Sequence, residues 1–308
     1  MSDLSKINTY KVVQRSDHDS CIDVIEHSHK LNSVKANLRF HHFKFNANGI
    51  PMVKNVAEML YDYIVDFCIS SKNREGELST KQYTRLVKEA RSLFRHPEIE
   101  NNSDDNTGEA GEALLFFLME AILEAPQIVA KMELKTNSHD EVKGSDGIHI
   151  KWDENNKIVD FYFGEAKLYK KISSAMDSAL KSIGDFHDGE MYKHEFSMVT
   201  KHFKYANKNI RHEVVKLISL GEPSENVRLN HACLIGYDWK EFNNLNGEYE
   251  HPISQEFKIR FENDLPRIVK LLEKKFSTFE HKHLRFDVFF IPFKSVSDFR
   301  NAFNVALD

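Results

Sequence analysis

Gly144-Ser-Asp-Gly-Ile-His-Ile-Lys-Trp-Asp-Glu-Asn-Asn-Lys-Ile-Val-Asp-Phe-Tyr-Phe-Gly-Glu-Ala-Lys167 is the stretch that decides the expected fold. It reads as a strand opened by the acid Asp146, then a polar turn, then a second strand that ends in Glu165 and Lys167. Side chains in a strand alternate between the two faces, so Glu165 and Lys167 share a face. If the strands pair as a hairpin, Asp146 lies beside them. We therefore expect two carboxylates and a lysine at one end of a sheet, where they can hold a metal ion.

The composition is that of a soluble globular protein, with 308 residues, 41% apolar and 29% charged. This length allows one large domain or two smaller ones. No apolar run approaches the roughly 20 residues that span a bilayer, and the first residues lack the apolar region of a secretory signal. Three scattered cysteines, Cys21, Cys68 and Cys233, have no metal-ligand spacing and suggest reduced thiols. Together these features predict a cytoplasmic protein.

The charge balance limits the ways in which the chain can bind nucleic acid. Its net charge is −5, from 42 basic and 47 acidic residues, whereas phosphate neutralisation supplies most of the affinity of non-specific DNA binding. A nucleic-acid enzyme with this balance needs a local basic patch or a partner. A local excess of basic over acidic residues lies between residues 167 and 216. A surface that binds the phosphate backbone and a solvated helix face explain this excess equally well. Its basic members are Lys167, Lys170, Lys171, Lys181, Lys193, Lys201, Lys204, Lys208, Arg211 and Lys216.

The apolar periodicity predicts a mainly helical N-terminal region, residues 1–100, followed by an α/β domain, residues 101–308. The first region has a strand candidate at 38–45 and helices at 53–68 and 79–94, and the polar residues 98–107 form the best linker. The second region predicts a helix, three strands, a helix and a strand, at 108–125, 127–135, 146–152, 158–168, 172–186 and 229–237. Further elements are one or two helices within 190–218, a helix at 255–276, a strand at 284–293 and a helix at 297–307. The expected class is mixed α/β.

The acidic residues in this order of elements carry a family resemblance. Asp146 followed by Glu165-Ala166-Lys167 resembles the PD-(D/E)xK nuclease superfamily, and Gly108-Glu-Ala-Gly-Glu112 is similar to the acidic helix of those enzymes. The combination more narrowly resembles the HamA family, the nuclease-like subunit of the Hachiman bacterial anti-phage system. The motifs cover about residues 105–240. Ser145 stands where the superfamily pattern has proline, and the Gln-plus-Tyr helix motif of RecB-like exonucleases is not evident.

The resemblance implies a restriction-endonuclease-like αβββαβ core and a Mg²⁺-dependent deoxyribonuclease, with Mn²⁺ as the alternative metal. Asp146 and Glu165 are hard oxygen donors that suit such an ion, and the family likeness adds the backbone carbonyl of Ala166. Lys167 is expected to orient the attacking water or to stabilise charge on the phosphate. Glu112 is expected to complete the metal shell. Glu109 is the alternative helix acid, but Glu112 directly precedes the apolar face of the helix.

The implied partners are DNA and a helicase subunit similar to HamB that holds the nuclease silent. A stand-alone restriction-type endonuclease and a catalytically inactive adaptor are the alternatives. A Glu-x-Lys pair alone is usually a solvated strand end, and an acid in a first helical turn usually serves the helix dipole. The close histidine pairs 27/29, 41/42 and 281/283 match no zinc spacing. Asp160 alternates onto the opposite face from Glu165 and is not expected to be catalytic.

Overall fold

A mixed sheet forms the centre of the protein. The computed structural model describes residues 3–31, 34–74, 76–94, 108–135, 144–218, 221–245 and 251–308, without the side chains of residues 27 and 28. Its strands within these ranges are β1 (Ile22–Lys30), β2 (Lys35–Phe43), β3 (Gln127–Val129), β4 (Gly147–Asp153), β5 (Ile158–Tyr169), β6 (Val227–Asp238) and β7 (Arg285–Phe293). Their order across the sheet is β1-β2-β7-β6-β5-β4-β3.

The four strands β2, β7, β6 and β5 run parallel at the centre of the sheet, whereas β1 on one side and β4 and β3 on the other pair antiparallel. Parallel strands are covered on both faces and are therefore apolar along their length. Strand β7 shows this, because every residue from Phe286 to Phe293 is buried. The site of interest lies at the end of β5, where the parallel centre meets the antiparallel hairpin.

Helices cover both faces of this sheet. They are α1 (Arg15–Cys21), α2 (Val53–Asp62), α3 (Ile64–Cys68), α4 (Thr80–Ser92), α5 (Glu109–Ile122), α6 (Ile172–Asp188), α7 (Met191–His202), α8 (Lys208–Leu217), α9 (Ile253–Ser277) and α10 (Val296–Leu307). Helices α1–α5 and α10 share one apolar core with β5, β6 and β7. Helices α6–α9 form two cores on the other face. Among the described helices, none has the length and apolar character that crossing a membrane requires.

The predicted class is confirmed: the protein is mixed α/β, and the described elements from α5 to β6 follow the expected order of a helix, three strands, helices and a strand. The segment 190–218 forms two helices, α7 and α8. The polar segment 98–107, predicted to be a linker, lies outside the described residues.

Two local predictions were wrong, and one strand was not predicted. Strand β3 ends at Val129 instead of residue 135, because the chain turns there and a 3-10 helix follows at Met132–Leu134. The helix predicted at 53–68 is broken at Tyr63, whose hydroxyl contacts Asp17 and accepts a hydrogen bond from a backbone N–H of the N-terminal segment. Strand β1 had no apolar alternation and was not predicted.

The described part of the N-terminal region contains α1–α4 and also contributes β1 and β2 to the central sheet. Residues Lys35–Phe40 pair in parallel with Arg285–Phe290 of β7. Its helices pack in the same apolar core as α5 and α10. This region therefore shares a sheet and a core with the rest of the chain. The predicted domain boundary near residue 100 falls outside the described residues and stays a prediction.

Candidate functional site

Asp146 and Glu165 lie close together at the end of the β4–β5 pair. Gly147 of β4 pairs with Gly164 of β5, and Asp146 lies directly before this last pair. The Asp146 N–H donates to the Gly164 carbonyl at 2.8 Å, and the Ala166 N–H donates to Asp146 Oδ2 at 2.6 Å. Two carboxylates that lie close together repel each other, so the hairpin holds them there at a cost in stability.

Lys167 lies on the same face of β5 as Glu165. Its Nζ is 2.6 Å from Glu165 Oε1, and their side chains are 22% and 12% exposed. The N–H and the carbonyl of one strand residue point to the same side of the strand. Because the Ala166 N–H points to Asp146, the Ala166 carbonyl points to the same side of β5. At this level of the sheet β4 has not yet started, so the carbonyl is not occupied by a β4 partner. An ion beside Asp146 can therefore meet this carbonyl.

Helix α5 crosses close to the end of β5. A Cβ added to Gly111 would lie 3.2 Å from Leu168 Cγ and 3.3 Å from the Ala166 Cβ, so the glycine permits the approach. One turn of this helix carries Glu112, which lines the same small internal space as Asp146. The first turn of α5 therefore adds a third carboxylate to the cluster.

The two candidate acids of α5 have different environments. Glu109 is buried and pairs with Lys135, whose Nζ lies 2.7 Å from Glu109 Oε1. For Glu112, the described part of the chain provides no ion-pair partner. The structure thus places Glu109 in a structural ion pair and leaves Glu112 next to Asp146.

The pKa values show that these charges interact. Burial raises the pKa of Asp146 well above its usual range, and the carboxylates of Glu165 and Glu112 raise it further. Burial also raises the pKa of Glu112 to about 7, with Glu109 and Glu165 adding to the effect against the attraction of Lys135. For Lys167, burial would lower the pKa, but the adjacent Glu165 outweighs it, and the pKa lies above its usual value.

This arrangement costs stability at neutral pH. The pKa of Glu112 is about 7 in the folded protein against an ordinary 4.5, so between these values the folded state binds more protons than the unfolded state. Stability contributed by this group is therefore lost as the pH rises from 4.5 to 7. Acids held together at such a cost are typical of functional sites.

A hard cation fits the chemistry of this donor set. Carboxylate and carbonyl oxygens are the ligands that Mg²⁺ prefers, and Mg²⁺ keeps several waters beside one or two carboxylates. Among the described residues, no three Asp, Glu, His or Cys side chains converge closely enough to hold an ion by themselves. An ion here would therefore be held by Asp146 and Glu165, with the Ala166 carbonyl and water in the remaining positions.

A buried clamp, formed by Lys131 and Glu195, holds the residue that precedes Asp146. Glu195 Oε1 accepts from the Ser145 N–H at 2.6 Å, from Ser145 Oγ at 3.1 Å and from Lys131 Nζ at 3.0 Å. Lys131 Nζ also donates to the Ser145 carbonyl. Both backbone groups of Ser145 are thus fixed by a pair of side chains from elsewhere in the chain. Sequence reasoning missed both clamp residues, since neither lies near a recognisable motif.

Gly144 is the position at which the clamp can be tested by a small change. Its φ is +107°, and a Cβ there would overlap the Glu195 carboxylate. We expect Gly144→Ala to lower the free energy of unfolding by about 2 kcal/mol or more, from backbone strain plus displacement of the carboxylate. Gly76→Ala is the matched control, because Gly76 has φ +85° but no atom within 4 Å of an added Cβ. Urea unfolding that gives equal losses for the two variants would show that the clamp does not constrain Gly144.

Other residues singled out in the sequence have structural surroundings. Asp160 binds Arg228 and Asn230, in agreement with its exclusion from the site. Lys204 was a candidate phosphate contact, but it is fully buried and donates to Gln127 Oε1 at 2.7 Å, with a pKa lowered to about 8 by burial. It cannot reach a nucleic acid. The remaining basic residues of the segment 167–216 are distributed over several elements.

The histidine pairs do not join the acid–lysine cluster. His41 and His42 are both buried in the sheet, and the pKa of His42 is lowered to about 4, mainly by burial. His281 Nε2 lies 2.9 Å from Asp188 Oδ1 at the protein surface. The side chain of His27 lies outside the described residues.

Fold and site together define a mixed α/β protein with a partly buried acid–lysine cluster at the end of a central strand. A sequence model of the HamA family matches residues 19–307, and the chain belongs to the HamA family. The protein is therefore a component of the Hachiman anti-phage defence system, which has other subunits. No curated protein matches the sequence significantly.

Proposed function

We propose that this protein is a metal-dependent DNA nuclease of the PD-(D/E)xK type, which acts as the effector of its defence system under the control of a partner helicase. The observation that carries the proposal is the close approach of Asp146 to the Glu165–Lys167 segment: Asp146 Oδ2 accepts from the Ala166 N–H at 2.6 Å, and Lys167 Nζ lies 2.6 Å from Glu165 Oε1. Membership of a defence family agrees with a destructive activity that needs control. The order of the elements from α5 to β6 is also that expected of a restriction-endonuclease-like core.

Each residue of the cluster has a role in phosphodiester hydrolysis. Asp146, Glu165 and the Ala166 carbonyl would hold Mg²⁺, and Mn²⁺ would accept the same ligands. The bound ion would supply a water of lowered pKa and neutralise charge on the phosphate. Lys167 would orient the attacking water and stabilise the negative charge that grows on the phosphate. Glu112, whose pKa is raised to about 7, would complete the metal shell or hold one of the waters around the ion.

Control by a partner is supported by charge. The chain carries a net charge of −5, so it lacks the general attraction to phosphate that gives nucleases high affinity for any DNA. A helicase that binds DNA would bring the substrate to the site and could restrict cutting to the structures it recognises. The helicase partner comes from the family, since composition alone implies only that affinity is supplied elsewhere.

The proposal is tested by cleavage of labelled duplex and single-stranded DNA, with the purified chain alone and with its helicase partner. We expect Asp146→Asn to lower the cleavage rate at least about 100-fold, since it removes a charged ligand, and omission of Mg²⁺ to have a similar effect. Glu262→Gln is the control, because Glu262 is an exposed acid on α9. Equal rates for wild type and Asp146→Asn would reject the nuclease site.

The same assay separates the alternatives. Cleavage by the chain without a partner would indicate a stand-alone endonuclease. An adaptor would instead show no cleavage under either condition, and phage protection in cells would survive Asp146→Asn. The effector role requires that protection and cleavage be lost together.

A further inference from the structure

A cleft of about 560 Å³ begins at the candidate site and runs between the β5–α6 connection and α10. Four cationic side chains line it, and no acidic one does among the described residues. The cations are Lys167, Lys170, Lys171 and Arg300. The Arg300 guanidinium is fixed in place, because Nη2 donates to the Leu168 carbonyl at 2.9 Å.

Lys170 and Lys171 are two adjacent lysines at the edge of this cleft. Both are exposed, and the described part of the chain offers neither an ion-pair partner. By contrast, Lys181 pairs with Asp185, and Lys193 lies 2.9 Å from Glu190. Two adjacent cations without a counter-charge repel each other, and an anionic ligand would relieve the repulsion. In a protein of net charge −5, such a cleft is a local exception.

An aromatic ring lies beside these cations. Tyr169 is 41% exposed, and its hydroxyl lies 3.2 Å from Ser178 Oγ of α6, which limits its freedom. A basic groove that carries an exposed aromatic ring is the arrangement by which proteins bind single-stranded nucleic acid, with phosphates on the cations and a base on the ring. A base inside a duplex has no free face for such stacking.

A neighbouring cleft provides a contrast. It shares Lys170 and Lys171 but is also lined by Asp238, Glu241 and Asp264. Negative side chains repel phosphates, so a nucleic-acid strand that reaches the two lysines would continue along the acid-free cleft. That path leads to Lys167.

We propose that the acid-free cleft binds a single-stranded segment of the substrate. Lys170 and Lys171 contact phosphates, Tyr169 stacks on an unpaired base, and the strand delivers its next phosphate to Lys167. The identification of Lys167 as the reacting end rests on the proposed nuclease function, whereas the binding of the strand does not require cleavage.

The test is fluorescence anisotropy with a 5′-labelled oligothymidylate and a duplex of equal length, using the full chain without divalent metal. We expect Lys170→Ala/Lys171→Ala to weaken single-strand affinity about tenfold at low salt. The slope of log affinity against log salt should fall by about 1.4, from roughly 0.7 per lost phosphate contact. Tyr169→Ala should weaken single-strand affinity about fivefold or more and leave duplex affinity unchanged.

Lys270→Ala/Lys274→Ala is the control, since it removes the same charge from exposed positions on α9 and should change affinity less than twofold. Unchanged single-strand affinity in both cleft variants would overturn the proposal. If the variants lose helicase binding but keep single-strand affinity, the cleft is a binding site for a protein partner, and the proposal is also overturned. Cleft-dependent binding without metal-dependent cleavage would reject the nuclease function and support the cleft. Metal-dependent cleavage together with normal single-strand binding by the cleft variants would support the nuclease function and reject the proposed role of the cleft.

Discussion

Lys167→Ala is expected to lower the DNA cleavage rate by about 1,000-fold while the protein stays folded. Its ammonium is the cation nearest Glu165, at 2.6 Å, and a charged donor aimed at developing phosphate charge contributes a factor of this order. The side chain is 22% exposed, so its removal leaves no sealed cavity. Single-turnover cleavage in Mg²⁺ measures the chemical step, and titration with Mn²⁺ measures metal affinity.

The pattern of effects distinguishes catalysis from charge pairing. If Lys167 acts on the water or the phosphate, the rate falls while Mn²⁺ affinity changes little. If it only neutralises Glu165, its loss strengthens metal binding and leaves the rate within a few fold of wild type, which would contradict the catalytic role. Lys167→Arg should recover little activity, because the planar guanidinium is less suited to replace a compact ammonium. Lys270→Ala serves as the exposed control.

The hairpin at the site could be predicted from local pattern alone. Phe161 and Phe163 alternate with other residues along β5, and the acid at its end shares their face. The polar turn between the two strands was also predicted. In the structure Lys157 takes the positive φ of 53°, while the Asp153 side chain accepts hydrogen bonds from the backbone of residues 155 and 156. The register that pairs Gly147 with Gly164, and so brings Asp146 close to Glu165, then follows from the turn.

Features that depend on distant contacts were not predictable in this way. Strand β1 is held by pairing with β2, and its own side chains show no alternation. Just after the early end of β3, the Lys131 side chain donates to the Ser145 carbonyl, 14 residues further along the chain. Glu195 lies 50 residues from Ser145 on a helix of ordinary composition. Gly144, directly before Ser145 and Asp146, is the one residue in the local sequence that is compatible with the close approach of another side chain at this point.

Glu195→Ala is expected to lower the free energy of unfolding by about 3–5 kcal/mol. The Glu195 side chain is fully buried and its Lys131 partner is 6% exposed, and removal of one member leaves an uncompensated buried charge. The Ser145 N–H loses its acceptor at the same time. Urea unfolding gives the loss, and Asp185→Ala is the control. Asp185 is the acid of an exposed pair, with side chains 75% and 64% exposed, which contributes at most about 0.5 kcal/mol.

A double variant separates the positioning role of the clamp from its contribution to stability. Lys131→Met/Glu195→Leu removes both charges together, so it should cost less stability than Glu195→Ala, because apolar side chains can replace a buried ion pair. Ser145 would still lose the partners of its N–H and carbonyl, and Asp146 would no longer be held close to Glu165. We therefore expect the double variant to stay folded, to bind Mn²⁺ about tenfold more weakly and to cleave DNA more slowly. Wild-type metal affinity in this variant would show that the clamp stabilises the fold without positioning Asp146.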